Sequence, residues 1–271
     1  WWFSTGAILY LDGLPKRTYR WSMTGATVVL IGALYALSVT SDSTSLAAAY
    51  CAFTCALLVW GWLEMSFLMG FITGTRTTAC PLDASGWRRA MYAFQAIVYH
   101  EAALVTGAVV IAVITWDAPN QLGLWTFLVL LFSRASTKLN LFLGVRNLSE
   151  EFLPDHLRYL QTYFKRKPMN LLFPLSVTVG TTLAALLWQS ATAASTDVAT
   201  AAGLSFLATL LTLAVLEHWF LIVPINFAAM WNWSLGARRS AATVASPHSH
   251  EIDTRRLGSK ATAEAVTPAR P

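Results

Sequence analysis

The chain has 271 residues, of which 55% are hydrophobic, 13% aromatic and only 12% charged, about half the charged fraction of a typical soluble domain. A water-soluble core of this size needs a far more charged surface, so the composition excludes an ordinary soluble globular protein and requires solvation by lipid. The segment 237–271 carries 6 of the 19 Lys and Arg and 3 of the 14 Asp and Glu, hence +3 of the net +5; the basic balance reflects loops and tail rather than a nucleic-acid surface, and no nucleic-acid partner is expected.

A spanning helix needs about 20 mostly apolar residues to cross roughly 30 Å of hydrocarbon. The opening stretch Trp1–Leu11 is apolar but too short to span. It reads as the end of a truncated first helix, without the basic leader or cleavage site of a signal peptide. Six full-length runs follow, Trp21–Val39, Leu46–Ile72, Ala90–Thr115, Leu122–Val145, Asn170–Gln189 and Ala201–Ile225. Cys51 and Cys55 fall inside one run, where cysteine acts as a small hydrophobe; with Cys80 they form neither a disulfide framework nor a metal knuckle.

Basic residues occur in alternate loops only. Lys16, Arg17 and Arg20 precede the second helix, Arg76, Arg88 and Arg89 the fourth, and Arg146, Arg158, Lys165, Arg166 and Lys167 the sixth, while the loops around Asp42, Asp117 and Asp197 contain no Lys or Arg. Positive charge stays in the cytoplasm. The expected fold is therefore an all-α polytopic membrane protein of about seven transmembrane helices, the first truncated, with the N-terminus out and the C-terminus in. Residues 1–236 form the bundle and 237–271, rich in Ala, Ser, Thr and Pro, a disordered basic cytoplasmic tail that includes His248 and His250. Trp60, Trp62, Trp87, Trp116, Trp188, Trp219, Trp231 and Trp233 lie mostly near predicted span ends, as aromatic belts require. Within the bundle region, 149–167 puts Leu153, Leu157, Leu160 and Phe164 at helical spacing. With Ser149 as cap and Glu150 and Glu151 in the first turn, it reads as a cytoplasmic interfacial helix presenting His156, Arg158, Lys165, Arg166 and Lys167 to a partner.

Ionisable groups inside a span cost about 2.5 to 3.5 kcal/mol each on insertion scales and so need a reason. Glu64, His100 with Glu101, Arg134 with Lys138, and Glu217 with His218 all fall roughly 10 to 17 Å above the predicted cytoplasmic boundary, by the helical rise of about 1.5 Å per residue. Four helices thus deliver acid, base and imidazole to one depth, and the reading is a single intramembrane polar cluster. Asn140, two residues beyond Lys138, is placed either to donate to a neighbouring carboxylate or to make a packing hydrogen bond between helices. On this reading, loss of Arg134 is expected to be offset by neutralising Glu101. The rival reading is a set of scattered helix–helix ion pairs.

No Glu has a His three residues on, and the His-rich spacings of membrane di-iron enzymes are missing, so no metal motif is complete. No phosphate loop or nucleophile elbow is present, and no catalytic residue is assigned. An imidazole in a dry helix can ligate the central metal of a chlorophyll, which makes His100 and His218 candidate pigment ligands.

The stretches WWFSTGAILYLDGLP from Trp1, AYCAFTCALLVWGW from Ala49, GLWTFLVL from Gly123, KLNLFLGVRNLSEEFLPDHLRYLQTYF from Lys138 and LEHWF from Leu216 carry a resemblance over Trp1 to about Trp233. Together they resemble the PuhE-type photosynthetic complex assembly proteins of phototrophic proteobacteria. The resemblance implies a multi-pass protein of the bacterial inner membrane, cytoplasmic or intracytoplasmic, encoded with reaction-centre genes. Besides the lipid bilayer, its implied partners are reaction-centre or light-harvesting subunits or other assembly factors. It implies support for assembly of that apparatus, or modulation of the supply of bacteriochlorophyll or a precursor, and supplies no catalytic residues. The alternative is a membrane enzyme or transporter that acts on a tetrapyrrole through the buried Glu and His groups.

Overall fold

A computed structural model describes residues 2–148, 150 and 153–224, with side chains from residue 6. The predicted tail 237–271, Trp231, Trp233, Ser149 and Glu151 lie outside the described residues. The elements are α1 (Trp2–Asp12), α2 (Tyr19–Thr40), α3 (Leu46–Leu68), α4 (Gly86–Gln95), α5 (Val98–Ile114), α6 (Leu122–Leu143), α7 (Leu172–Ala191) and α8 (Val198–Phe220). Five helices are long and apolar enough to cross a membrane, or six if the bent pair α4 and α5 counts as one span. Among the described residues there is no β-strand, only an isolated parallel bridge between Val145 and Arg166.

Local chemistry explains several boundaries. Ser45 starts α3 by accepting a hydrogen bond from the Ala48 amide at 3.2 Å, and Asp197 starts α8 by accepting from Ala199 and Thr200 at 3.0 and 3.1 Å. Gly144, at φ +120, turns the chain out of α6.

α3 is the central post. It packs on α2, α5, α6 and α8, and its Ala52, Cys55, Val59 and Leu63 meet Ala33 and Leu37 of α2, Leu104 and Ile111 of α5 and Phe127 of α6 in the main core. Small residues permit these approaches: a Cβ on Gly123 would lie 2.6 Å from Leu37, and one on Gly180 would lie 2.8 Å from Val215 where α7 meets α8. The opposite faces of α2, α5 and α7 expose Ile31, Tyr35, Val105, Val109, Val113, Leu175 and Val179, an apolar surface that suits lipid rather than water. Trp87 and Trp116 are exposed as a belt requires. Trp60 and Trp62 instead turn inward, Trp60 edge-on to Phe127 at 5.3 Å and Trp62 donating to Thr27 at 3.0 Å.

The run expected as one span, Ala90–Thr115, bends by 64° between α4 and α5. The loop after α3 wedges into that bend. The Gln95 carbonyl accepts from Thr75 and Arg76 at 2.9 and 3.3 Å, and the His100 amide donates to Thr73 at 3.0 Å instead of to Ala96. Backbone groups freed by the bend are therefore satisfied by another segment. Gly74 is required there, because a Cβ would overlap the carbonyls of Gln95 and Ala96.

The interfacial helix expected over 149–167 is corrected. Asp155–Tyr163 is a 3-10 segment, not an α-helix. Pro154 lacks an N–H and disfavours helical backbone before it, and Pro168 restricts Lys167 in the same way. The apolar spacing survives, but Leu157, Leu160 and Tyr163 bury against Phe67 and Ala96, with Leu153 and Phe164 beside them, so protein rather than lipid covers that face. Lys165 and Lys167 run extended beside Val145 through backbone bonds of 3.1 Å each. The amphipathic helix at this end is α4, where Trp87, Met91 and Phe94 form an exposed stripe at i, i+4 and i+7 while Arg89 points inward to the carbonyls of Tyr163 and Phe142.

Candidate functional site

Helical spacing turns Glu64 of α3, Glu101 of α5 and Arg134 and Lys138 of α6 toward one another. Arg134 Nη2 donates to Glu64 Oε2 at 3.2 Å, and Lys138 Nζ donates to Glu101 Oε1 at 2.5 Å. The two bridges lie one helical turn apart on α6. Arg134 therefore pairs with Glu64, and the expected offset between Arg134 and Glu101 is corrected.

The first bridge is incomplete. Glu64 is 8% exposed, yet Glu64 Oε1 and Arg134 Nε are buried with no hydrogen-bond partner. A fork-on-fork pair would use both edges; here a single bond holds the pair and leaves one donor and one acceptor unmet. His100 is 1% exposed, tilted against Phe67 with ring centroids 4.4 Å apart, and neither of its nitrogens has a partner.

Of the other residues expected in the cluster, Glu217 lines a cavity, while His218 and Asn140 belong to a second, neutral network. His218 Nδ1 meets the Ala214 carbonyl at 2.8 Å and Nε2 meets Ser136 Oγ at 2.9 Å. In a neutral ring Nδ1–H therefore donates and Nε2 accepts from the hydroxyl. Asn140 Nδ2 donates to the Ser136 carbonyl at 3.0 Å and Ser176 Oγ at 3.2 Å. Asn170 completes this network, donating to Asn140 O, Asn140 Oδ1 and Gly144 O at 3.2, 3.1 and 2.9 Å and accepting from Leu172 and Phe173 at 2.9 and 3.1 Å. Serines 136 and 176 and Asn170 were missed by the sequence reading. An Asn just before an apolar run is a helix-start signal, and Ser136 shares a face with Asn140 four residues on.

A cavity of about 1910 Å³ lies along α3, α6 and α8, with α1, α2 and α4 at its sides, roughly twice the upper size of ordinary small-molecule pockets. Phe53, Leu57, Leu210 and Leu213 make its walls apolar, and Glu64, Arg134, Lys138 and Glu217 supply charge. His100 and His218 do not line it, because His100 is sealed behind Phe67 and both nitrogens of His218 are engaged; as pigment ligands they lack direct access from the cavity. Of the residues expected to face a partner, Lys165, Arg166 and Lys167 are exposed. Arg158 pairs with Asp155 and Arg166 with Glu150, each at 2.8 Å, and His156 lies over Gly70. Among the described residues no group of three or more His, Cys, Asp or Glu is placed to hold a metal ion.

No solved structure matches this chain. A protein of Rhodobacter capsulatus described as an uncharacterized 30.4 kDa protein in the puhA 5' region is 39% identical over 252 residues, 91% of this chain and 92% of that protein. A family model described as Protein of unknown function (DUF3623) matches residues 1–242, so the chain belongs to the DUF3623 family.

Proposed function

We propose that this chain is a PuhE-type integral membrane factor for assembly of the bacterial photosynthetic reaction centre and light-harvesting apparatus, one that holds bacteriochlorophyll or a precursor. The observation that carries the reading is the puhA-region relative, matched over nearly the full length of both chains. That relative is described by its place in the puhA 5' region, which supports a photosynthetic role. The structure adds a cavity large enough for a bulky lipophilic molecule, edged by α4 and by the loop that carries the exposed Lys165, Arg166 and Lys167. In this reading the apolar helices cross the inner or intracytoplasmic membrane with the C-terminus in the cytoplasm, and the basic loop meets reaction-centre or light-harvesting subunits. The test is affinity capture of the tagged full chain from phototrophic membranes, with and without bacteriochlorophyll synthesis. Reaction-centre subunits and pigment are expected with the wild type, and changing Lys165, Arg166 and Lys167 together to Ser lowers subunit capture without lowering insertion. Capture of neither subunits nor pigment refutes the reading.

The second reading, a membrane enzyme or transporter acting on a tetrapyrrole, is favoured by one observation, the exposure of Glu64, Arg134, Lys138 and Glu217 to the cavity. It predicts turnover or movement of added pigment by the purified protein.

A further inference from the structure

The bridge between Glu64 and Arg134 lines the cavity, and just beneath the cavity surface Glu64 Oε1, an acceptor, and Arg134 Nε, a donor, are buried without a hydrogen-bond partner. Each unmet buried group costs a full desolvation penalty, more when charged, so the site is poised for something that satisfies both. The chemistry required is a single group that donates and accepts at once. Glu64 needs a hydrogen-bond donor and the adjacent guanidinium edge an acceptor, and both belong to one ion pair. An anionic head group would meet the Glu64 carboxylate. A cation would have to displace Arg134. A keto or ether oxygen would satisfy Arg134 alone and leave Glu64 Oε1 unmet. A hydroxyl meets both, donating to Oε1 while its oxygen accepts from Nε–H.

We propose that the cavity binds a long lipophilic molecule through a hydroxyl group that completes the Glu64–Arg134 pair. The apolar body lies along Phe53, Leu57, Leu210 and Leu213. A small rotation of the Arg134 guanidinium, whose side chain is 41% exposed, opens the pair to the ligand. Lys138 remains occupied by Glu101 at 2.5 Å, so the hydroxyl site is confined to one turn of α6. The proposal rests on the cavity and its unmet atoms, independently of the assembly reading; a lipid alcohol and a hydroxylated ring system share the chemistry.

Trp21, Trp60 and Trp62 line the cavity, so differences in quenching between probes that dissolve equally in the bilayer report occupancy. The probes are a dibrominated long-chain alcohol, its methyl ether and the corresponding dibromoalkane, titrated into the full chain in nanodiscs. Wild-type protein should be quenched by the alcohol at about a tenfold lower concentration than by the ether, the loss expected when a donor to a charged acceptor is removed. The preference should fall to about twofold or less in Glu64→Gln, whose neutral amide is a weaker acceptor and can present N–H to either oxygen, whereas Arg134→Lys, which keeps the charge and removes Nε–H, should weaken alcohol and ether alike and leave the preference in place. Equal quenching by alcohol and ether in the wild type overturns the proposal, as does absence of quenching by all three probes. A preference that survives Glu64→Gln overturns it as well, and so does unchanged binding of both alcohol and ether in Arg134→Lys, so one variant that folds suffices. A branched isoprenoid alcohol competing better than a hydroxylated ring compound would assign the ligand to lipid, and the reverse order to a ring system.

Discussion

Replacing Arg134 by Leu removes the cation at 3.2 Å from Glu64 Oε2 and leaves a carboxylate that is 8% exposed with neither oxygen hydrogen-bonded to Arg134. Two unit charges at that distance attract by about 5 kcal/mol at an effective dielectric of about 20. The Arg134 side chain is 41% exposed to the cavity, and screening there reduces the recoverable coupling to about 2 to 3 kcal/mol. The single change should therefore cost about 3 to 5 kcal/mol, the usual penalty for an uncompensated buried charge. Adding Glu64→Gln should return about 2 to 3 kcal/mol of it, because the neutral amide no longer needs a countercharge. Adding Glu101→Gln instead should return nothing and cost more, since Glu101 is held by Lys138 at 2.5 Å. The assay is a set of reversible unfolding titrations in mixed micelles for the wild type, three single variants and two double variants. Additivity of Arg134→Leu and Glu64→Gln within about 0.5 kcal/mol would refute the pairing.

Four further outcomes are expected. Gly74→Ala forces a Cβ into the carbonyls of Gln95 and Ala96 and should sharply lower the folded yield measured by size exclusion. Gly25→Ala, with nothing within 4 Å of the added carbon, should be neutral or slightly stabilising. Asn170→Ala loses the cap on α7 and three donations to α6 and its C-cap and should lower stability by about 2 kcal/mol or more, with Asn170→Asp, which keeps the cap, in between by thermal unfolding. Asp197 carries a carboxyl held below its ordinary value by hydrogen bonds from Thr200 and then Ala199. Its folded value is the lower one, so its contribution is present above the unfolded Asp value of about 3.9 and is lost as pH falls through the folded value. Thermal unfolding of Asp197→Asn should lose that pH dependence below about pH 4, and an unchanged profile would show that the cap does not titrate.

The sequence made the spans legible because each apolar run is a local property. Leu46–Leu68 and Val198–Phe220 begin where Ser45 and Asp197 supply a cap, and the ends of α2, α6 and α7 lie within about two residues of expectation. The charged layer was legible for a similar reason: Glu64, Glu101, Arg134 and Lys138 stand at one depth by counting residues. The 149–167 reading took the spacing of Leu153, Leu157, Leu160 and Phe164 as a helix and overlooked Pro154, which the sequence displays. The spacing identified the buried face correctly and the backbone wrongly.

Hydropathy alone determines which stretches suit a bilayer, since transfer into lipid depends on a segment's own side chains. It also marks the ionisable residues that need partners there. Which partner each finds depends on the rotation and sliding of one helix against the next, and no local pattern records that. Only the tertiary structure decided that Arg134 meets Glu64 and Lys138 meets Glu101. It also decided that His218 joins Ser136 and that His100 is sealed behind Phe67. The bend between α4 and α5 is of the same kind: the run reads as continuous, and it breaks because the 73–76 loop supplies the backbone partners that make a break affordable in free energy. The cavity, too, is a property of how α3, α6 and α8 lean together rather than of any one of them.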